Sequence, residues 1–462
     1  MWLPADLLAA QREYRLTMPV DLSAVGLSST YPTNKPRLVR WLIIWGLCCG
    51  IGAPVALLLW PVGEPARGAW FWLCVAGAPN GLFLLLLGIA RAGYDAFYVQ
   101  ALYRNRHRQA WLHRRVSYAQ RPLQILGAAY CLPLGGKGLA EVIIAGTPQV
   151  KAQALRRGSG RLMHGRFSDD DPLPKFDVSN EKYTGVRADD AVIDDTGQDN
   201  APKLWSSTKE VSPYVAMFAQ TLDPLAGRLR ALSQYGPTYA PAVRVLASAD
   251  AAELRVRDVR HALGIAGLPA LDCSAVPVTD GLLVADAWLD AGEHRPLLVI
   301  AAGWHDERNP PSAGSTEGSV AVLFGSGVLR LPEPVTVLGT LHRPVAYDFA
   351  GLSDILGNAV LWGNVDAQAI HTAWLSGLDA THDTALLAAL AKASLTTVSK
   401  QDAQRRVDRI IGRAGAADGW LSIAAAVESG LVGPHLILHN AQRAQAAILY
   451  VNSPPSHDES DK

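Results

Sequence analysis

Pro296-Leu297-Leu298-Val299-Ile300-Ala301-Ala302 is an unbroken apolar run, preceded by the charged stretch 293–295 and closed by Gly303. It is short for a helix and too uniformly apolar for a strand with one wet face. It therefore reads as a central strand buried on both faces. Just upstream, residues 280–289 read as an apolar helix, and downstream 319–324 and 335–341 read as strands. Farther toward the N-terminus, 123–132 reads as a buried strand ending at Pro133 and the glycines Gly135, Gly136 and Gly138. Helical patterns follow at 139–155, 214–233 and 251–263, with a short strand at 243–247. A second series begins near Asp354, with helices at 385–393 and 419–427 and strands at 435–438 and 446–451. Helices alternating with central strands predict a layered α/β domain over residues 121–452. Hydrophobicity collapses between 158 and 207, which predicts a polar insertion, with acidic residues gathered from Asp169 to Asp199. The polar stretch 453–462 predicts a disordered tail.

A different composition precedes this domain. Residues 41–63 and 68–90 contain no charged side chain. Each is as long as a helix needs to cross about 30 Å of hydrocarbon. A signal peptide would have a shorter apolar core nearer the start and a small-residue cleavage site. Only Glu64, Pro65, Ala66 and Arg67 separate the runs, so 41–90 predicts a tight transmembrane hairpin kinked at Pro54 and Pro79. Gly46 and Gly50 are expected to pack its helices together. Trp41, Trp60, Trp70 and Trp72 fall near the expected interfaces. Lys35, Arg37 and Arg40 flank the first run within an N-terminal segment 1–40. Arg91, Arg104, Arg106, Arg108, Arg114 and Arg115 follow the second, within a basic juxtamembrane segment 91–120. Positive residues mark the cytoplasmic side, so both termini and the α/β domain are expected in the cytoplasm of a bacterial cell, at its inner membrane.

The 462 residues carry 42 basic and 42 acidic side chains, which gives no electrostatic reason to expect a nucleic-acid partner. Five cysteines make no disulfide framework, and three of them, Cys48, Cys49 and Cys74, lie in the apolar runs. No cofactor or metal motif stands out. Gly135-Gly136-Lys137-Gly138 has the wrong spacing for a phosphate loop, and Gly325-Ser326-Gly327 lacks the spacing of a nucleophile elbow. His435 and His439 fall on a strand and its end with no carboxylate beside them, and His305-Asp306-Glu307 reads as a surface loop. A thiol at the start of a helix has its pKa lowered by the dipole, which makes Cys273 a candidate nucleophile if a helix begins there. Pro277 and Gly281 place that helix several residues later, so a packed, inert thiol is the competing reading.

Four segments in order resemble the thiolase-like superfamily, and within it the β-ketoacyl synthases. Residues 122–135 end in Leu132-Pro133-Leu134-Gly135 and look like the opening strand and turn. Cys273-Ser274, with Gly281-Leu282-Leu283-Val284-Ala285 and the strand 297–303, looks like the nucleophile segment. Glu317-Gly318 and the strand after it are similar to the glutamate–glycine turn. Ile411-Gly412-Arg413-Ala414-Gly415-Ala416-Ala417-Asp418-Gly419-Trp420 is similar to the loop and helix near the C-terminus. The resemblance implies a fold of two related βαβ halves, usually dimeric, with a Cys nucleophile and two His, or one His and one Asn, that stabilise developing negative charge. It maps the first His to His382, without the expected glycines around it, and puts Arg413 where the second should stand.

With the catalytic set incomplete and an anchor present, the expected function is a non-catalytic membrane-tethered scaffold or adaptor. It would bind a protein partner, in a secretion or envelope assembly such as type VI secretion. The alternative is a membrane-associated acyl-transfer enzyme with Cys273 as nucleophile and His382 as base or oxyanion donor. Two spans without an intramembrane charge offer no ion path, which disfavours a channel.

Overall fold

The structure, a computed structural model, describes residues 27–33, 37–156, 159–168, 172–173, 211–306, 309–333 and 335–453. They belong to two compact units, residues 21–117 and the remainder from Tyr118 on.

In the first unit, α1 (Leu38–Leu58) and α2 (Ala69–Ala119) are each long and apolar enough to cross a membrane. Their leucines and isoleucines, Leu42, Ile43, Leu84 and Leu85 among them, are exposed, as hydrocarbon would accommodate and water would not. The helices meet at Gly52. A Cβ there would lie 2.7 Å from Cγ of Pro79, so this glycine lets the backbones approach. Gly46 and Gly50 face open space, and the expected small-residue contact is thus displaced to Gly52. Asn80 accepts from Trp45 Nε1 at 2.9 Å and donates to the Ala76 carbonyl at 2.7 Å. Pro79 follows a π-helical turn, Leu73–Gly77, the kind of local adjustment that accommodates a ring lacking an N–H. The basic segment beyond residue 90 is no separate element: α2 runs on through it to Ala119. Ser29 exchanges two hydrogen bonds with Asn105 there, at 2.9 and 3.0 Å, and Tyr31 packs on Tyr98.

The second unit contains β1 (Leu123–Cys131), α3 (Leu139–Ala145), β2 (Lys151–Ala154), β3 (Arg161–His164), α4 (Pro213–Leu222), α5 (Ala226–Gln234), β4 (Ala242–Ala247), α6 (Ala252–Ile265), β5 (Asp272–Pro277), α7 (Leu283–Asp290), β6 (Leu297–Gly303) and β7 (Gly318–Gly325). Then follow β8 (Gly339–Leu341), β9 (Val345–Tyr347), α8 (Leu352–Trp362), β10 (Thr372–Ser376), α9 (Asp383–Lys392), β11 (Gln404–Arg406), α10 (Val407–Ile411), α11 (Asp418–Glu428), β12 (Gly433–Asn440) and β13 (Ala444–Val451). The hydrogen-bonded order is β5-β4-β6-β7-β1 in the first half and β11-β10-β12-β13-β8 in the second. In each half the five strands, numbered along the chain, are ordered 3-2-4-5-1, and the fifth is antiparallel to its neighbours. The first strands of the halves, β1 and β8, pair antiparallel from Leu123↔Leu341 to Ile125↔Gly339, as an approximate two-fold requires.

The apolar run 296–302 forms β6, with Leu297 to Ala301 buried between the parallel β4 and the antiparallel β7, as its composition demands. One core cluster unites the inward faces of both half-sheets with α3, α7 and α11, so these helices form a middle layer. A second cluster joins the outer face of the first half-sheet to α4, α5 and α6. On the second half, α8 packs against β13 and α9 against α8. The layers thus alternate α, β, α, β, α. Trp420, fully buried on α11, meets Phe324 of β7 edge to face at 6.0 Å, which ties the middle layer to the first sheet.

Several expected elements are shorter. The helix expected over 139–155 stops at Ala145, because Gly146 adopts a left-handed φ of 68° and Pro148 follows, and the hairpin β2–β3 takes the rest. Pro224 divides the expected helix 214–233 into α4 and α5 through the 3₁₀ turn Asp223–Leu225. Only the last residues of 335–341 pair as a strand. Most of the predicted polar insertion, 174–207, and the tail from residue 454 lie outside the described residues.

Candidate functional site

The middle layer carries the site. Strand β5 leads through the 3₁₀ turn Val278–Asp280 into Gly281, with φ 48° and ψ −122°, and α7 begins directly after Leu282. A sharp strand-to-helix turn of this kind presents a nucleophile in enzymes that use one, with the next residue's N–H positioned for an oxyanion. Here the turn residue has no side chain. A Cβ at 281 would fall 2.6 Å from Oε1 of Gln445, which reaches across from β13. The Leu282 N–H donates to Gln445 Oε1 at 2.7 Å, and Gln445 Nε2 donates to the carbonyls of Thr279 and Asp280 at 3.4 and 3.2 Å. Gln445 is 1% exposed, so its amide occupies the elbow and consumes the N–H there.

The equivalent turn in the second half leads into α11. The first residue of that helix, Asp418, accepts the Ala414 N–H at 2.6 Å. Burial pushes its carboxyl up to about 7, opposed by the Ala414 N–H and reinforced by Asp408. Beside it, His439 on β12 is fully enclosed; burial lowers its pKa to about 4, so the ring is neutral at pH 7. His439 Nδ1 lies 3.0 Å from Ser376 Oγ, and Ser422 Oγ is 3.3 Å beyond. Gly419 permits this packing, since a Cβ there would sit 3.2 Å from the His439 ring. A cavity of about 440 Å³ opens above these groups, lined by Gly281, Arg413, Asp418, Trp420, His439 and Asn440 among others.

Arg413 is therefore brought to the elbow, where it donates to the Ala313 carbonyl at 3.3 Å. Cys273 and His382 are not brought together. Cys273 sits at the start of β5, the terminal strand of the first half, paired with Val243 and buried in the outer cluster. Burial pushes its thiol pKa up, with Arg260 opposing. No helix begins there, so the dipole that would activate it is missing. His382 precedes α9 in the second half and packs on Phe349 at 4.6 Å. His435 and His439 share one face of β12, but His435 is held by Leu431 and Trp374 while His439 faces Ser376. Four residues along a strand separate them by about 13 Å, too far to share an ion. His305, expected in a surface loop, is buried. Reading the sequence misses Gln445 altogether: a lone Gln on a strand carries no signal.

No protein-family model and no curated protein matches the chain. Among solved structures it is similar to the ketosynthase from module 1 of the bacillaene synthase of Bacillus amyloliquefaciens, with TM-score 0.49 and 13% identity over 73% of this chain and 77% of that one. It is similar to 3-oxoacyl-[acyl-carrier-protein] synthase III of Aquifex aeolicus, with TM-score 0.40 and 12% identity over 71% and 99%. It is also similar to the peroxisomal 3-ketoacyl-CoA thiolase of Saccharomyces cerevisiae, with TM-score 0.39 and 11% identity over 51% and 90%. That thiolase is described as five-layered and constructed from two core domains of identical topology. The duplicated strand order and the alternating α and β layers stand on this chain's own hydrogen bonds and packing.

Proposed function

We propose that the chain is a membrane-anchored, non-catalytic thiolase-like adaptor whose α/β unit binds a protein partner. The carrying observation is the stoppered elbow. Gly281 offers no nucleophile, and the carboxamide of Gln445 takes the Leu282 N–H that an oxyanion would need. Neither Cys273 nor Arg413 repairs this, because the thiol is buried in the outer cluster at the far end of β5 and the guanidinium offers donors rather than a nucleophile. Two helices long and apolar enough to cross a membrane supply the anchor, and the basic flanks favour a cytoplasmic α/β unit at a bacterial inner membrane. An inactive fold held at the membrane suits an accessory role in a secretion or envelope assembly, of which type VI secretion is one. The duplicated fold also suits a homodimer.

The test is intact-mass analysis of the full chain in detergent after exposure to an acyl-thioester mimic, beside cross-linking in its own membranes. The expected result is no acyl adduct together with one stoichiometric protein partner. A single adduct on Cys273, or cross-linked membranes without a specific partner, refutes the proposal.

A further inference from the structure

A second cavity, of about 630 Å³, lies beyond the elbow cavity. Its inner wall is an ion-pair network. Glu317, fully buried at the start of β7, accepts both terminal nitrogens of Arg156, and the N–H groups of Phe167 and His305 at 3.0 and 3.4 Å. Arg156 in turn lies over the Trp304 ring at 4.0 Å. The carboxylate is saturated by these four donors, which leaves the groups around it without an acceptor. Nδ1 of His305, a residue only 8% exposed, stands 3.6 Å from Glu317 and has no hydrogen-bond partner among the described residues. Nε of Arg166, in the lining of the same cavity, is buried and also without a partner among the described residues. Buried polar atoms seldom go unsatisfied, and a guanidinium and an imidazole lining one cavity suit an oxyanion with two or more acceptor atoms. The rest of the lining sets an apolar wall, Leu155, Pro213, Leu254, Pro310 and Pro311, beside the polar side chains of His164, Arg255 and Asp306.

We infer that this cavity is a binding site for a small anion carried on a short apolar chain, a carboxylate or a phosphate monoester, held by Arg166 and His305 against the leucine–proline wall. Burial lowers the pKa of His305 to about 4, with His164 and Arg156 adding to the effect. The ring is therefore neutral at pH 7 and contributes a hydrogen bond, while Arg166 contributes the charge. Unlike the elbow, whose donors are consumed by the chain's own side chains, this cavity leaves its donors free among the described residues.

Isothermal titration of the full chain in detergent with hexanoate and with hexyl phosphate tests the site. The expected result is saturable binding of at least one probe, weakened about tenfold or more by Arg166→Gln, the loss of one charge-assisted contact. Tighter binding of hexyl phosphate identifies a phosphate ester as the natural head group, and tighter binding of hexanoate a carboxylate. Arg166→Lys, which keeps the charge but not the forked donor, is expected to bind between wild type and Arg166→Gln; it serves as the test variant if the glutamine variant does not fold. No binding of either probe, or equal affinity in wild type and the Arg166 variant, overturns the inference.

Discussion

The two halves of the α/β unit share a strand order, and each sends a helix into the middle layer from a tight turn. The two turns are closed by hydrogen bonds of different range. In the first half a glycine stands at the elbow and the stopper comes from the other half, Gln445 on β13. In the second half the stopper is local, Asp418 folding back on the Ala414 N–H of its own loop. Helix starts in such a layer are ready-made places for negative charge, because their first N–H groups have no intrahelical acceptor. A catalyst leaves those groups for its transition state. Here the Leu282 N–H at the first helix start is spent on a neutral amide, and at the second the Asp418 carboxyl, which burial pushes toward protonation, takes an N–H from the loop before the helix. The comparison shows one strand order carrying two turns, one closed by a hydrogen bond 163 residues long in sequence and one by a contact within its own loop.

The sharpest way to break the comparison is at the long-range stopper. Gly281→Ala places a Cβ at a φ of 48° and 2.6 Å from Gln445 Oε1. Strain and overpacking together cost about 2–4 kcal/mol. Gln445→Ala leaves the Leu282 N–H and two carbonyls without partners, at about 2–3 kcal/mol. Because the clash in the first variant is with the side chain removed in the second, the double variant should be more stable than additivity predicts, by about 1–2 kcal/mol. Urea unfolding of the full chain in detergent measures this coupling. Strict additivity would mean that the amide does not occupy the elbow.

The local stopper is tested by pH. The folded Asp418 carboxyl titrates at about 7, above its ordinary 3.8, so the folded state holds a proton that the unfolded state has released. Its contribution to stability is complete below about pH 4 and is lost as pH rises to about 7, with a slope of at most about 1.4 kcal/mol per pH unit. Asp418→Asn keeps an acceptor for the Ala414 N–H and removes the titration. Between pH 4 and 7 the wild type should therefore lose stability relative to this variant, in parallel melting-temperature series. Two parallel profiles would remove the proposed protonation from the account.

How much of this was legible in the sequence follows from the range of the forces involved. The central strands announce themselves because burial on both faces demands an unbroken apolar run, as in β6 and β12. The edge strand β11, Gln-Arg-Arg, is polar and half-buried, and it is specified by parallel pairing with β10 rather than by its own residues. Gly281 marks the late start of the helix after Cys273, and Arg413, which the resemblance sets in the place of a second His, lines the elbow cavity. The stopper was invisible because Leu282 and Gln445 are 163 residues apart, and nothing local to either foreshadows their bond. The burial of His305 had the same cause. Its loop looks polar, and only the convergence of Arg156, Phe167 and His305 on Glu317 draws it inward.

The smallest expected effect concerns the two residues that sequence resemblance paired, Cys273 and His382. A nucleophile and its base must be within hydrogen-bond reach, and removing either then changes the environment of the other. Cys273 instead packs among outer-layer side chains of the first half, and His382 against Phe349 in the second. Cys273→Ala empties part of a packed site and should cost about 1 kcal/mol, and His382→Ala less. Residues without shared partners add within about 0.5 kcal/mol, so the coupling in a double-variant unfolding cycle should fall inside that margin. A coupling well outside it would bring thiol and imidazole into contact. The first half would then hold a working nucleophile on its edge strand, and the stoppered elbow would no longer argue for a silent site.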